Sequence, residues 1–256
     1  MIASQLAKLI GVEQVSADAE NLAAHRFDRW CLKHWQDWQG EALHAPACVV
    51  RPRDSADVQS VVRFAAANSI AMVPWGLGSG VCGAVEPRPD QILIDMSAMD
   101  QVLSIDEENL LLTVEAGING LVAEEAVAER GLTIGHWPQS IGISSVGGWI
   151  STRASGQFST AYGNIEDIVY AIEMVLPDGG MVTLGKAPRA AAGPPPPPAR
   201  PRRPAAASRG AGHCAALRPP VRQRQGLGEP DHEAECSRRG RAQLGLHRRS
   251  PDNPRQ

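Results

Sequence analysis

The 256-residue sequence has few aromatic residues, no long apolar run and no recognisable cysteine pattern. Its five cysteines form no C-x-x-C pair, and an odd number argues against a closed set of disulfides. No apolar stretch approaches the roughly 18 residues that span a bilayer. Residues 1–11 lack the apolar core and cleavage site of a signal peptide. These absences argue against a secreted disulfide scaffold and an integral membrane segment, so we expect a soluble, cytoplasmic protein.

Aromatic residues, lysine and isoleucine are missing from the last part of the chain. All 11 aromatic residues precede position 187, whereas 13 of the 20 prolines follow it. Residues 187–256 contain 14 arginines against 5 acidic residues. Such a segment buries too little apolar surface to offset its chain entropy. We therefore expect the folded unit to end near Lys186 and residues 195–256 to be a Pro/Arg-rich, low-complexity tail that is disordered or out of frame.

What remains is a regular succession of helical and strand patterns. Residues 1–45 predict a helical lead-in, with a first helix over 2–10. A strand over 47–50, a helix from Asp54 or Ser55 to about Asn68 and a strand over 70–73 form one unit. Later patterns predict a strand over 91–96, a hairpin of 102–106 and 110–115, a helix over 117–131, and a hairpin of 168–176 and 181–184.

The glycine-rich residues 74–83, here called the first loop, follow the strand over 70–73. Within them Gly78 to Gly83 fits G-x-G-x-x-G, a dinucleotide fingerprint that requires a helix directly afterwards. Pro87 and Pro89 fall inside that required helix, where each would cost roughly 3 kcal/mol. This argues against a Rossmann domain. A glycine-rich loop can still bind phosphate through consecutive backbone N–H groups.

A second stretch, residues 144–156, is dense in serine and glycine. Its glycines would let the backbone approach a ligand closely, and its hydroxyls could donate to phosphate or ring oxygens. The composition alone fits either a cofactor-binding wall or a surface turn.

Several motifs occur together in order. They are Arg51-Pro52 with its following helix, the first loop, V-E-A-G at 114–117, G-G-W-I-S-T-R-A-S-G at 147–156, Y-G-N-I-E-D at 162–167 and L-P-D-G at 176–179. In this order and spacing they resemble the FAD-binding domain of the vanillyl-alcohol oxidase/PCMH-type flavoprotein superfamily. The second half of the series is most similar to the alkyldihydroxyacetonephosphate synthase branch and its bacterial FAD-linked oxidase relatives.

The resemblance covers residues 46–194 and implies an α+β, PCMH-type fold of two subdomains with FAD between them, truncated here. It implies that FAD is bound non-covalently, because residues 74–84 contain no histidine for covalent attachment. It implies no metal and leaves the catalytic residues unknown. The cofactor-binding residues carried over by motif are Pro74, Trp75, Gly76, Leu77, Gly78, Ser79 and Gly80 for the pyrophosphate, then Gln139, Ser140, Ile141, Gly142, Ile143, Ser144 and Ser145, and finally Thr152, Arg153, Ala154 and Ser155 near the flavin.

Three single residues carry expectations of their own. Two alternatives remain for Arg153: it is buried against a carboxylate such as Glu166, or it contacts flavin or substrate. We expect His136 to be structural rather than catalytic and Cys82 to be a small apolar residue.

The chemistry implied is oxidation of an alcohol or 2-hydroxy acid, or an ether-lipid reaction that exchanges acyl for alkyl on a dihydroxyacetone phosphate unit at flavin N5. In the family, the acids, bases and phosphate-binding residues that act on the substrate come largely from a cap domain, which we do not find in this sequence. The alternative is therefore a truncated FAD-binding module without turnover. The tail fits a basic nucleic-acid-binding arm or, better, a reading frame shifted near codon 194. We expect a small-molecule substrate if the protein is active, no nucleic acid, and a possible homo-oligomer.

Overall fold

The computed structural model describes residues 2–185 and 241–248, which belong to one compact unit. Within these residues the helices are α1 (Ile2–Ile10), α2 (Ala19–Ala24), α3 (Cys31–Trp38), α4 (Ser55–Ala67), α5 (Gly120–Ala128), α6 (Val146–Thr152), α7 (Ser159–Tyr162) and α8 (Ile165–Ile168). The strands are β1 (Val15–Ser16), β2 (Cys48–Val50), β3 (Met72–Trp75), β4 (Ile92–Asp95), β5 (Val102–Asp106), β6 (Leu111–Glu115), β7 (Leu132–Thr133), β8 (Val169–Val175), β9 (Met181–Gly185), β10 (Arg241–Gly245) and β11 (His247–Arg248).

The first sheet has the order β1-β2-β4-β3, in which β2, β4 and β3 are parallel and β1 is antiparallel to β2. Helix α4 starts where the Asp54 carboxylate accepts a hydrogen bond from Asp57 N at 2.9 Å, the cap expected from the sequence. Its apolar stripe packs on the strands, and Leu6 of α1 completes the same core. The lead-in over residues 1–45 therefore contributes a helix and a strand to this subdomain.

The second sheet has the order β5-β6-β10-β8-β9, and all its neighbouring strands are antiparallel. One face packs under α5, α6 and α8, where Leu112, Val127, Trp149 and Ile165 share a buried core. Each sheet thus has its own helices and its own core, which is the two-part α+β architecture expected from the sequence.

Strand β10 corrects the expectation for the tail. Arg241–Gly245 lies between β6 and β8, in the interior of the second sheet, and Ala242 and Leu244 are 2% and 0% exposed. Disorder was therefore the wrong expectation for residues 241–248. The composition of the whole tail concealed a local alternation of small or apolar with polar residues, which is what a strand buried on one face requires. The rest of the tail lies outside the described residues.

The element predictions are confirmed for α1, α4 and both hairpins, while β3 begins two residues later than expected. The clearest difference is α6, which forms in the Ser/Gly-rich stretch where no helix was predicted. Residues 84–90 contain no helix, in agreement with the argument against a Rossmann domain. Among the described residues no helix has both the length and the apolarity needed to cross a bilayer.

Candidate functional site

The first loop leaves the first sheet at the carboxyl end of β3, and its first two residues, Pro74 and Trp75, are the last two of that strand. Within the described part of the chain, the backbone N–H groups of residues 76–80 donate to no protein acceptor. Gly78 has a φ of 66°, a left-handed conformation that glycine adopts at little cost. A run of free, neighbouring N–H groups carries partial positive charge and is a suitable receptor for an anion.

The first loop contacts the start of α6. A Cβ atom at Gly76 would overlap Ser145 Oγ and would lie 4.0 Å from Gly148 Cα. Ser145 caps α6, because its Oγ accepts a hydrogen bond from Gly148 N at 3.2 Å. The two glycine-rich stretches singled out in the sequence therefore meet in direct contact, although they are about 70 residues apart in the chain.

Glycine also allows α6 to dock on the second subdomain. Gly147 N donates to Ala116 O at 2.7 Å, and Val146 N donates to Ile118 O at 3.1 Å. A Cβ at Gly147 would lie only 2.7 Å from the same Ala116 oxygen. The pair Gly147-Gly148 thus brings one short helix against two neighbours, the 116–118 turn and the first loop.

The predicted second segment, residues 139–145, contains a short 3-10 helix over Ile141–Ile143. Asn119 Nδ2 donates to Gly142 O at 2.9 Å and holds this turn. Ser144 is buried; its Oγ donates to Ser140 O at 2.8 Å and accepts from Trp149 Nε1 at 2.7 Å. The Ser144 hydroxyl is therefore used inside the protein, whereas Gly142 and Ile143 are exposed.

The predicted third segment, residues 152–155, lies at the end of α6. Thr152 Oγ1 donates to Gly148 O at 2.8 Å and Ser155 Oγ to Asn164 Oδ1 at 2.9 Å. Arg153 adopts a left-handed conformation and pairs with Glu166 at 3.0 Å. Glu166 is the carboxylate that one of the two open alternatives named, but the arginine side chain is 77% exposed and not buried as that alternative required. These side-chain hydrogen bonds stay within α6 and residues 164–166 and do not reach the first loop.

Sequence reasoning missed a polar cluster at the carboxyl edge of the parallel strands. Asp95, at the end of β4, lies 2.6 Å from Arg51 Nε and 3.5 Å from His25 Nε2. Burial alone would raise the pKa of Asp95, but hydrogen bonds from His25, Arg51 and Ser97 outweigh it and lower that pKa to about 2. The His25 ring lies 4.8 Å from that of Trp75, which is in the first loop. The only sequence signal for this cluster was the acidic residue at the end of an apolar strand.

His136 is fully buried in the second core, with its ring 4.6 Å from that of Trp149. Neither ring nitrogen has a hydrogen-bond partner among the described residues. Burial lowers the pKa of His136 to about 4, so the ring is neutral at pH 7. The expectation that His136 is structural rather than catalytic stays a prediction. Cys82, in contrast, is an exposed free thiol.

Comparison with known proteins identifies one family. The FAD binding domain family matches residues 46–185. The uncharacterized FAD-linked oxidoreductase YgcU of Escherichia coli K12 is 38% identical over 194 residues, which are 75% of this chain and 40% of YgcU. Alkyldihydroxyacetonephosphate synthase of Caenorhabditis elegans is 37% identical over 159 residues, 60% of this chain and 27% of that enzyme. The chain therefore spans well under half the length of these relatives.

Solved structures agree with the sequence match. A structure of alkyldihydroxyacetonephosphate synthase superposes with a TM-score of 0.67 at 29% identity, covering 74% of this chain and 35% of that one. p-Cresol methylhydroxylase superposes with a TM-score of 0.61 at 20% identity, covering 71% of this chain and 34% of that one, and this likeness concerns the fold alone.

Proposed function

The chain belongs to the FAD binding domain family, and from this we propose that it is the cofactor-binding part of an FAD-linked oxidoreductase that holds FAD non-covalently and oxidises an alcohol or a 2-hydroxy acid. FAD, when bound, supplies the hydride acceptor, while the protein supplies binding and orientation. The chain's own residues would therefore act first on the phosphates and on the position of the ring.

The observation that carries this proposal is the free N–H groups of residues 76–80 beside the start of α6. A pyrophosphate carries negative charge and many acceptor oxygens, so it would satisfy donors that have no acceptor among the described residues. Gly76 and Gly78 keep the backbone accessible because neither carries a side chain that would cover these donors. The residues present thus fit the cofactor that the family binds.

The other residues that we assign to the cofactor site belong to the second and third segments. In the second segment, the Ser144 hydroxyl is already used by Ser140 and Trp149, whereas Gly142 and Ile143 are exposed. In the third segment, the hydroxyls of Thr152 and Ser155 donate to protein acceptors. We assign residues 139–145 and 152–155 to the walls of the FAD site, where the exposed members are Gln139, Gly142, Ile143, Thr152, Arg153 and Ser155. Non-covalent attachment is supported by the lack of histidine in residues 74–84.

The substrate class rests on the relatives. Glycolate oxidase subunit GlcD of Bacillus subtilis is 33% identical over 140 residues, and a mitochondrial D-lactate dehydrogenase of Arabidopsis thaliana is 31% identical over 176. Both names denote enzymes of 2-hydroxy acids. A second candidate is chemistry of the alkyldihydroxyacetonephosphate synthase type, which the structural likeness at a TM-score of 0.67 favours. Because the chain spans only part of each relative, binding of FAD without turnover is the third outcome.

The test is a titration of the purified 256-residue chain with FAD, followed by flavin fluorescence and visible absorbance. We expect saturable binding, and acid precipitation should release all the flavin into the supernatant. Arg130→Gln, which removes an exposed ion pair with Glu107 outside the site, should bind FAD as the unmodified chain does. No binding at micromolar FAD would overturn the cofactor proposal, and flavin retained in the precipitate would overturn non-covalent attachment.

Substrate class is then tested anaerobically on the FAD complex. Loss of the oxidised flavin bands on adding glycolate or D-lactate would support a 2-hydroxy-acid oxidoreductase. Exchange of acyl for alkyl on acyl dihydroxyacetone phosphate, without lasting loss of those bands, would favour the second candidate and exclude the first. Binding with neither reaction would identify a cofactor module without turnover and overturn both.

A further inference from the structure

Residues 25–30, which precede α3, run along the first loop although they lie outside the 46–185 family match. The ring of His25 packs on Trp75 where the loop begins. In the middle of the loop, Arg29 N donates to Gly80 O at 2.8 Å. At its end, the Trp30 ring lies so close to Gly83 that a Cβ there would overlap it. This N-terminal segment therefore contacts the first loop at its start, middle and end.

Asp28 is the centre of these contacts. Its side chain is buried, with 2% of the residue exposed. One carboxyl oxygen, Oδ1, accepts from Trp30 N at 3.1 Å, and the other, Oδ2, accepts from Ala84 N at 3.0 Å, just past the loop. A Cβ at Gly80 would lie 2.8 Å from Oδ2. One carboxyl group thus ties the N-terminal segment to the far end of the loop and fills the space that glycine leaves at position 80.

We propose that Asp28 is a positioning residue for FAD binding, acting through the first loop and not through contact with the cofactor. The inference rests on the proposed function, since it assigns the pyrophosphate to residues 76–80. Consecutive N–H groups left unpaired repel one another, and glycine makes the loop costly to order. A loop already held in its binding conformation by Asp28 avoids that ordering cost when the cofactor arrives.

Asp28→Asn is the primary test, because asparagine keeps the size of the side chain but its amide nitrogen cannot accept a hydrogen bond. Loss of one such bond should raise the dissociation constant for FAD about tenfold. In the cofactor-free protein, amide hydrogens of residues 76–84 should exchange faster. The matched control is Asp18→Ala, which removes the N-terminal cap of α2, the helix directly before the N-terminal segment. It should lower the melting temperature but leave FAD affinity and exchange of the loop unchanged.

A second pair of variants keeps the test decisive if Asp28→Asn folds poorly. Gly80→Ala should weaken FAD binding, because its methyl group would press on Oδ2. In the Asp28→Ala background that carboxyl is gone, so adding Gly80→Ala should cause little further loss. Equal FAD affinity for Asp28→Asn and the unmodified chain, or effects of Gly80→Ala that are independent of residue 28, would overturn the inference.

The two proposals fail in different ways. If the unmodified chain binds no FAD, the proposed function fails, and with it the role of Asp28 in cofactor binding. Hydrogen exchange in the cofactor-free protein still decides whether Asp28 positions the loop. If the unmodified chain binds FAD and Asp28→Asn changes neither affinity nor exchange, the inference alone fails.

Discussion

The contact between Gly76 and Ser145 makes a quantitative prediction about the junction of the two glycine-rich stretches. An alanine at position 76 would place its methyl group on Ser145 Oγ, which is held by Gly148 N at 3.2 Å. The hydroxyl would have to rotate away and would lose its capping bond. If serine were alanine, the nearest atom would be the residue 145 Cβ at 3.6 Å, an ordinary van der Waals distance.

The expected free energies of unfolding follow from these distances. Ser145→Ala removes one helix cap and should cost about 1 kcal/mol. Gly76→Ala loses the same cap and adds overpacking of about 1–2 kcal/mol, so it should cost about 2–3 kcal/mol. The double variant loses the cap only once and escapes the overlap, so it should cost about 1 kcal/mol. The two single effects together should thus exceed the effect of the double variant by about 2–3 kcal/mol.

Urea unfolding of the four proteins, followed by tryptophan fluorescence, measures this coupling. The denaturant slopes must agree for the comparison to hold, since a changed slope signals a changed unfolded or native state. Additive effects, within about 0.5 kcal/mol, would show that residues 76 and 145 are not in contact. That result would refute the junction on which the proposed FAD site depends.

Two further predictions concern the second subdomain. The pKa of His136 falls from 6.5 to about 4 on folding. Between these two values the unfolded chain binds a proton on His136 and the native state does not. Stability should therefore be full above pH 6.5 and decline toward pH 4 by up to about 3 kcal/mol; His136→Leu should flatten this part of a stability-against-pH curve, and an unchanged curve would contradict the assignment. For β10, Leu244→Ala should cost about 2–5 kcal/mol in urea unfolding, whereas Gln243→Ala, whose side chain is only partly buried, should cost less than about 1 kcal/mol. Equal losses would show that residues 241–245 are not a core strand.

The sequence allowed the elements with strong local signals to be predicted. Helix α4 has a capping aspartate and an apolar stripe, and both hairpins have turn residues between apolar runs. Helix α6 was missed because Gly147-Gly148 has poor helix propensity. Its stability comes instead from the local Ser145 cap and from the burial of Trp149, and the burial is a tertiary effect that propensity does not reveal.

The residues of the candidate site also divide into those with a local sequence signal and those without one. The first loop and the 144–148 stretch were identified from glycine and serine spacing, which is local. The acidic residues Asp28 and Asp95 were not identified, because their partners lie far away in the sequence. Asp28 and Ala84 are 56 residues apart, and Arg51 and Asp95 are 44 apart. No pattern within a short window predicts such pairs. Arg153 shows the converse error, since a motif located the residue and its partner Glu166 but gave no information about its exposure.

The position of β10 explains how residues 241–245 of the Pro/Arg-rich tail belong to the fold. In this sheet β6 and β8 do not pair with each other, because β10 lies between them and pairs with both. Neighbouring strands are roughly 4.8 Å apart, so without β10 each would present a row of unpaired backbone groups across a gap of about twice that distance. Ala242 and Leu244 meet Val114 and Leu112 in register, so the strand also completes the core under α5. This place in the sheet requires backbone groups that pair with β6 and β8, and two apolar side chains on the face toward the core. Residues 241–245 supply both, although they carry none of the flavin-binding motifs.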